Sequence, residues 1–255
     1  MKLLMVILLL VVGSGSWMSA EVPVSDFSRL DTLAREVVIA RDVRKIPESA
    51  FAGCRRLKRV RFEDGSRCVA VGDYAFYCCD SLEVFAAPRS LREIGRYAFA
   101  WCVSLREVSL GNVRRLGPLA FAYCSSIGKI DLPRTLERIG NNAFSNCSSL
   151  QEVVIPDSVK ELESYAFSGC ESLKEIDLPG SCAVLGELLV SGCTSLGWIR
   201  VHSPVPPEFE CESFLFDPDE KERYEHCRLV VSPDLSGVYG NARGWSLFRH
   251  ILENN

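Results

Sequence analysis

The sequence has little of the material from which catalytic and metal sites are built. Only three of its 255 residues are histidines, and all three (His202, His226 and His250) lie near the C-terminal end. A glycine-rich phosphate loop, a Gly-x-Ser-x-Gly turn and a His-Glu-x-x-His pair are all missing. A zinc set made of His202, Cys211, His226 and Cys227 does not follow a compact ligand spacing such as Cys-x₂-Cys. We therefore expect no catalytic residue, no metal site and no cofactor.

A strong excess of one charge and a long apolar stretch are missing as well. The chain has 29 Lys and Arg against 33 Asp and Glu, a formal net charge of −4, which gives no general attraction for nucleic acid. The main apolar run, residues 3–12, is about half the length of roughly 20 residues that a membrane-spanning helix needs. We expect neither a nucleic-acid partner nor a membrane span.

The N-terminal residues have the order of a secretory signal peptide. Lys2 precedes the apolar run, and small and polar residues follow it up to Ala20. We predict that residues 1–20 are a signal peptide that is cleaved after Ala20. Because no cysteine lies close behind the apolar run, a lipid anchor on cysteine is not expected. The predicted location is extracellular, either secreted or at the cell surface.

One motif, Ala-Phe-x-x-Cys-x-x-Leu, recurs along most of the chain. Six matching copies begin at residues 50, 75, 98, 120, 143 and 166, and a degenerate seventh copy begins at Leu189. Alternating apolar residues follow each copy, as in LQEVVIP at 150–156, and predict a short strand with one buried face. A single unit cannot bury its own apolar face, so stacked units are expected to form a parallel β-sheet and to share one core.

The full pattern, Ile-Gly-x-x-Ala-Phe-x-x-Cys-x-x-Leu-x-x-Ile-x-Ile-Pro, resembles the repeat of the BspA-like leucine-rich repeat family of bacterial surface proteins. Its spacing of 22–25 residues lies within the usual range for leucine-rich repeats. The resemblance covers roughly residues 37–200. It implies a β-rich leucine-rich-repeat solenoid of about seven repeats of about 23 residues, with short turns and helical pieces.

The two flanking segments are predicted to close the stack. Residues 21–36 are predicted to be an N-terminal lead-in, and residues 201–255 resemble the closing segment of the same family. The residues that carry this second resemblance are Pro233, Tyr239, Trp245 and Phe248. By family resemblance, the partner would be a host extracellular-matrix protein or the surface of another cell.

The constant positions of the repeat predict columns in the core. The phenylalanines are expected to form an aromatic spine: Phe51, Phe76, Phe99, Phe121, Phe144 and Phe167. Seven cysteines share another column, and an odd number cannot pair completely within it: Cys54, Cys79, Cys102, Cys124, Cys147, Cys170 and Cys193. Buried free thiols are favoured over a disulfide or metal column, because parallel side chains suit disulfide geometry poorly. A disulfide between Cys211 and Cys227 is a separate possibility, and it would close the C-terminal segment.

The variable positions predict the surface on which binding takes place. Outward-facing strand residues form two columns whose chemistry changes from repeat to repeat. The candidate binding face consists of the charged and aromatic members of these columns: Arg59, Arg61, Glu107, Lys129, Asp131, Glu152, Glu175, Asp177, Trp198 and Arg200. An ordinary solvated sheet face is the alternative. For Trp198, packing beneath the C-terminal cap is favoured over contact with a ligand.

The N-terminal end of the repeats carries a local excess of positive charge. Residues 41–67 contain nine Lys or Arg against four acidic residues. Arg55, Arg56 and Lys58 are candidate contacts for an anionic partner such as a sulfated glycan, although a solvated charged face is the favoured interpretation.

Two functional hypotheses follow. The first is an interaction module, with an adhesin-like role, that binds a protein or a glycan. The second is a structural or scaffold component of an envelope assembly with no ligand of its own. An enzyme is not expected.

Overall fold

The structure is a computed structural model that describes residues 26–27, 33–210 and 214–254. The predicted signal peptide and Cys211 lie outside the described residues. The chain forms a solenoid of about nine turns, which we call rungs, and these rungs stack through parallel strands. This architecture confirms the predicted leucine-rich-repeat solenoid. Its physical basis is the short repeat, since each rung supplies only one apolar layer and depends on its neighbours for burial.

The strands belong to two sets that alternate along the chain. The long-strand sheet contains β1 (Glu36–Ile39), β3 (Arg59–Phe62), β5 (Val84–Ala86), β7 (Glu107–Ser109), β10 (Glu152–Val154), β12 (Glu175–Leu178), β14 (Trp198–Val201), β16 (Arg228–Val231) and β17 (His250–Glu253). The short-strand sheet contains β2 (Lys45–Ile46), β4 (Ala70–Val71), β6 (Glu93–Ile94), β8 (Arg115–Leu116), β9 (Arg138–Ile139), β11 (Glu161–Leu162), β13 (Val184–Leu185) and β15 (Glu208–Phe209).

Every strand pair in both sheets is parallel and in register from rung to rung. The long-strand sheet is interrupted between β7 and β10, where one rung contributes only a single bridge, between Ser109 and Asp131, so it consists of a four-stranded part and a five-stranded part. The short-strand sheet runs unbroken through the same region, where β8 pairs directly with β9. The second apolar pair of each repeat therefore builds a sheet of its own, and inward side chains from both sheets meet in one core.

The Ala-Phe segment of each repeat forms a third ladder of hydrogen bonds without regular strands. From Phe51 to Phe144, the amide of each spine phenylalanine donates to the carbonyl of the alanine one rung later, as from Phe144 to Ala166 at 2.8 Å, and Phe167 donates to Leu189 at 3.0 Å. The residues two before and two after each phenylalanine have a left-handed backbone, for example Asn142 (φ 56°) and Asn146 (φ 58°) around Phe144. Asparagine and glycine tolerate this conformation best, and it lets the chain turn twice within a few residues.

The predicted aromatic spine is confirmed. Rings from Phe51 to Phe167 stack nearly parallel, with centroid separations of 5.0, 5.0, 5.1, 5.5 and 5.4 Å between successive rungs. Phe27 meets the first ring edge-on at 5.8 Å. Because each ring from Phe51 to Phe144 lies between two others, the spine connects the rungs through the middle of the core.

The C-terminal segment continues the stack and closes it. Strands β16 and β17 extend the long-strand sheet in parallel register. Between these strands lie α2 (Ser236–Gly240) and a 3₁₀ turn (Trp245–Leu247), and α1 (Arg223–His226) precedes β16. The indole of Trp245 is fully buried and donates to the carbonyl of Pro207 at 2.8 Å.

None of the helices in the described parts of the chain has the length and apolar character that a bilayer crossing requires.

The ladder of hydrogen bonds formed by the Ala-Phe segments has no further repeat after its last rung. Residues 214–220 supply the acceptors that such a repeat would provide. The amide of Leu188 donates to the carbonyl of Phe214 at 2.5 Å, a position that another repeat would otherwise fill. The carboxylate of Glu220 accepts from the amide of Gly192 at 3.0 Å and from the hydroxyl of Ser191 at 2.7 Å. These bonds satisfy backbone donors that the last repeat would leave unpaired.

Candidate binding surfaces

The outward side chains of the long-strand sheet form two columns. In the first column Arg59 is the register partner of Val84, and farther along Glu175 is the partner of Trp198. All ten residues of the candidate binding face lie on this surface and are exposed or half-buried. The structure adds Glu36 before them and Arg228 and His250 after them. The repeat motif did not predict these three residues, because they lie outside its copies.

Several charged side chains on this face form ion pairs between neighbouring rungs. Pairs between exposed side chains contribute only about 0–1 kcal/mol each, but they orient the groups that make them. The face therefore presents both signs of charge in alternation. The pairs include Arg61 with Glu36 (Nε–Oε1, 2.7 Å), Lys129 with Glu152 (Nζ–Oε1, 3.8 Å) and Arg200 with Glu175. The imidazole of His202 hydrogen-bonds to Asp177 in the same way (Nε2–Oδ1, 2.5 Å).

Trp198 lies on the outer face and packs against the C-terminal segment. Its side chain is half-buried, and the guanidinium carbon of Arg228 on the next rung lies 4.7 Å from the centroid of its ring. A cation over an indole at an exposed site contributes about 0.5–1 kcal/mol. The pair fixes a flat aromatic and a positive charge side by side at the C-terminal end of the candidate binding face.

The basic N-terminal end is partly neutralised. Arg55 pairs with Asp80 (Nε–Oδ2, 3.4 Å), and Lys58 pairs with Glu83 (Nζ–Oε1, 2.9 Å). Arg106 also contacts Glu83, and these two cations lower the pKa of that carboxyl below its usual range. Acidic side chains from the following rungs therefore neutralise part of the positive charge that the sequence concentrates at residues 41–67.

A groove on the short-strand sheet is lined by cationic and hydroxyl side chains that the repeat motif did not predict. Its volume is about 700 Å³, and it spans three rungs. The residues that line it are Arg114, Arg115, Arg134, Thr135, Glu137, Arg138, Ser158, Lys160 and Glu161. The cations are dispersed in sequence and meet only because β8, β9 and β11 are register partners. Treating the second apolar pair of each repeat as a strand would have aligned them.

The cysteine column consists of buried thiols that donate to the core backbone. From Cys79 to Cys193, each Sγ lies 3.1–3.3 Å from the carbonyl oxygen of the phenylalanine one rung earlier, as from Cys124 to Phe99. These six and Cys54 are all buried and form no disulfide within the described residues, which confirms the prediction of buried free thiols for the column. Burial raises the pKa of Cys102, Cys124 and Cys147 well above the usual thiol range. A neutral, buried thiol is a poor nucleophile.

The tail offers no metal cluster within the described residues. No group of three or more His, Cys, Asp or Glu side chains converges there as a candidate ligand set. Cys227 is buried, which raises the pKa of its thiol to about 12. The other half of the proposed disulfide, Cys211, lies outside the described residues.

The repeat, its strands and its constant core columns decide the family. A model of the BspA-type leucine-rich repeat region matches residues 23–130 and 114–207, with six copies. The chain belongs to the BspA-type leucine-rich repeat family. Among solved structures it is similar to a leucine-rich repeat protein of T. pallidum, with 33% sequence identity and a TM-score of 0.54, over 69% of this chain and 78% of that one.

Other solved structures are more distant. A leucine-rich repeat protein from Bacteroides ovatus has 20% identity over 86% of this chain and 69% of that one, with a TM-score of 0.48. The pneumococcal vaccine antigen PcpA has 18% identity over 87% of this chain and 79% of that one, with a TM-score of 0.36. No curated protein matches the chain.

Proposed function

We propose that this BspA-type repeat protein is a secreted or cell-surface interaction module, with an adhesin-like role, that binds a protein or a glycan through the candidate binding face. The observation that carries the proposal is the contrast between the two sides of the long-strand sheet. Inward columns repeat the same apolar residues, whereas outward columns change at nearly every rung. A rigid surface with varied side chains in fixed register is how solenoids present a binding site.

Two features make the C-terminal half of this face the expected centre of contact. Trp198 and Arg228 place an aromatic ring beside a cation, and aromatic and arginine side chains are enriched at the energetic centres of interfaces. Val154 adds an apolar side chain that is 64% exposed, two rungs earlier. The surrounding acidic groups supply the polar rim that interfaces need.

The proposed role needs no chemistry from the chain. The thiols of the cysteine column are buried, and the constant residues of the repeat are engaged in packing and backbone hydrogen bonds. We accordingly propose a non-catalytic module.

The test is a binding screen with the purified chain against extracellular-matrix proteins and a glycan array. A double variant, Asp177→Lys with Trp198→Ala, is expected to weaken binding of any ligand found by at least about tenfold, because it removes an aromatic anchor and reverses a charge. Glu48→Lys, an exposed substitution away from the long-strand sheet, serves as the control and is expected to bind normally.

Absence of binding in both screens would contradict the proposal. If the intact protein then co-fractionated with other envelope proteins, a scaffold role would replace it. Protease treatment of intact cells tests the location, because a surface protein is degraded there and an internal one is protected.

A further inference from the structure

The groove on the short-strand sheet has the charge and the lining of a site for an anionic ligand. Five of its nine lining side chains are cationic and two are acidic, an excess of three positive charges in a chain whose net charge is −4. The remaining two side chains, Thr135 and Ser158, carry hydroxyls. A local excess of this kind is opposite to the charge of the whole molecule and attracts anions by simple electrostatics.

The cations of the groove differ in how far they are already neutralised. Arg114 donates to Glu137 at 2.9 Å, and Arg138 is held between Glu161 and Glu163. Arg115 pairs with Glu93 at 3.3 Å. Within the described parts of the chain, Arg134 and Lys160 make no ion pair. Both are exposed, so their charges are available to a ligand.

Ser158 departs from a column of side chains that otherwise donate to the preceding rung. At the same position of other repeats, Ser90 donates to Cys68 (2.7 Å), Thr135 to Val113 (3.0 Å) and Ser181 to Val159 (2.7 Å), each to a carbonyl oxygen. The Ser158 Oγ is buried, and it has no hydrogen-bond partner within the described residues. A buried hydroxyl without a partner carries a desolvation cost that a ligand oxygen in the groove would relieve.

We propose that this groove binds an acidic polysaccharide through its sulfate or carboxylate groups, with Arg134 and Lys160 as the charged contacts and Ser158 Oγ as a hydroxyl donor. Guanidinium groups form charge-assisted, often bidentate hydrogen bonds with such oxyanions. The lining contains no apolar or aromatic side chain, so it lacks the anchors on which protein partners depend. The site is separate from the candidate binding face and does not depend on the function proposed for that face.

The experiment measures the affinity of the purified chain for a heparin oligosaccharide and for the same oligosaccharide after desulfation. The wild type is expected to bind the sulfated form and to lose affinity as salt rises. Arg134→Gln with Lys160→Gln is expected to reduce affinity by about tenfold or more, since two charge-assisted contacts disappear. Ser158→Ala is expected to reduce it by about three- to tenfold, while Arg134→Lys retains most of it.

The matched control is Arg96→Gln with Lys221→Gln. Both side chains are exposed, they make no ion pair within the described residues, and their removal changes the net charge by the same amount. This control is expected to bind heparin like the wild type. Thermal unfolding of the control and of the Arg134 and Lys160 variants is expected to match that of the wild type, because the altered side chains are exposed.

Three results would overturn the inference. One is equal heparin affinity in the groove variant and the wild type. Another is an equal loss of affinity in the Arg96 and Lys221 control, which would show that heparin responds to net charge and not to the groove. The third is tighter binding of a poly-glutamate peptide than of heparin at the same groove. If the groove is the heparin site, the double variant of Asp177 and Trp198 binds heparin like the wild type. Failure of this proposal can therefore be distinguished from failure of the function proposed for the candidate binding face.

Discussion

Phe144 lies in the middle of the aromatic spine, where loss of a ring affects three rungs at once. Its ring is fully buried between those of Phe121 and Phe167, at 5.5 and 5.4 Å. Phe144→Ala is expected to lower the free energy of unfolding by about 3–5 kcal/mol, from lost burial and from the cavity that remains. Urea denaturation of the wild type and the variant measures this difference.

Two further variants test whether the loss of stability comes from the packing of this ring or from a general sensitivity of the fold to substitution. Phe144→Leu is expected to cost less than the alanine variant because leucine fills most of the cavity. Val154→Ala, on the outer face where the side chain is 64% exposed, is expected to stay within about 0.5 kcal/mol of the wild type. A loss in Phe144→Ala no larger than that in Val154→Ala would show that the spine does not hold the rungs together.

The buried residues of the repeat were predictable from the sequence, but the hydrogen bonds and backbone conformation around them were not. The spacing of Phe and Cys was sufficient to predict two core columns. It did not predict that the thiols donate to phenylalanine carbonyls, or that two positions per repeat adopt a left-handed backbone. Trp101 (φ 64°) and Tyr123 (φ 61°) occupy such positions, where a bulky residue costs about 1–2 kcal/mol. Their rings stack at 4.1 Å, which offsets part of that cost.

Adjacent rungs approach closely at a column of glycines that follows the short strands, including Gly72, Gly95, Gly117, Gly140 and Gly186. A Cβ added to Gly140 would lie 2.8 Å from the backbone nitrogen of Pro118 on the preceding rung, a distance that a real methyl group does not occupy. Gly140→Ala therefore has to push two rungs apart. We expect a loss of about 1–3 kcal/mol in unfolding free energy, the usual cost of overpacking, measurable by thermal or urea denaturation.

Gly128 provides a matched comparison within the same repeat. An added Cβ there would meet nothing closer than the carbonyl oxygen of Ser149 at 3.9 Å, and the residue does not have a positive φ. Gly128→Ala is expected to change stability by no more than about 0.5 kcal/mol. Similar losses in both variants would mean that glycine flexibility, and not contact between rungs, explains the column.

Among the secondary-structure elements, the long strands were predictable from the sequence, whereas the short-strand sheet was not. A run such as Glu152–Val154 alternates buried and exposed residues, which is the period of a strand. A two-residue strand such as Arg138–Ile139 has no period to detect, so it was visible only as an apolar pair. The groove was missed for the same reason, because Arg134 and Lys160 become neighbours only when the short strands are aligned.

At the scale of the whole molecule, a solenoid needs its ends closed, and the C-terminal segment shows how. A repeat motif predicts the interior of a stack, where each rung meets an identical one. It carries no information about the last rung, whose donors are satisfied by irregular chain at residues 214–220. Buried aromatic residues such as Tyr239 and Trp245 then cover the core, although the segment contains no copy of the motif.

The stack also concentrates buried thiols, and this makes stability depend on alkaline pH. Burial raises the pKa of Cys102, Cys124 and Cys147 well above the usual value of 9.0, and the pKa of Cys182 to about 11. In the unfolded chain these thiols ionise near pH 9, whereas in the folded chain they stay protonated. Above pH 9 the unfolded state therefore binds fewer protons than the native state, and stability falls as pH rises. Below pH 9 the thiols contribute no pH dependence.

Each fully buried thiol is expected to contribute a fall of up to about 1.4 kcal/mol per pH unit above pH 9. The measurement is urea denaturation between pH 7.5 and 10.5 with a reductant present, so that oxidation of thiolates does not contribute. Cys124→Ala is expected to be less stable than the wild type at pH 7.5, because a buried hydrogen bond and some packing are lost. Its alkaline slope is expected to be shallower by one thiol, so that the two stability curves converge as pH rises. Parallel curves across this range would show that the buried column does not govern the alkaline limit, since tyrosines and lysines titrate equally in both proteins.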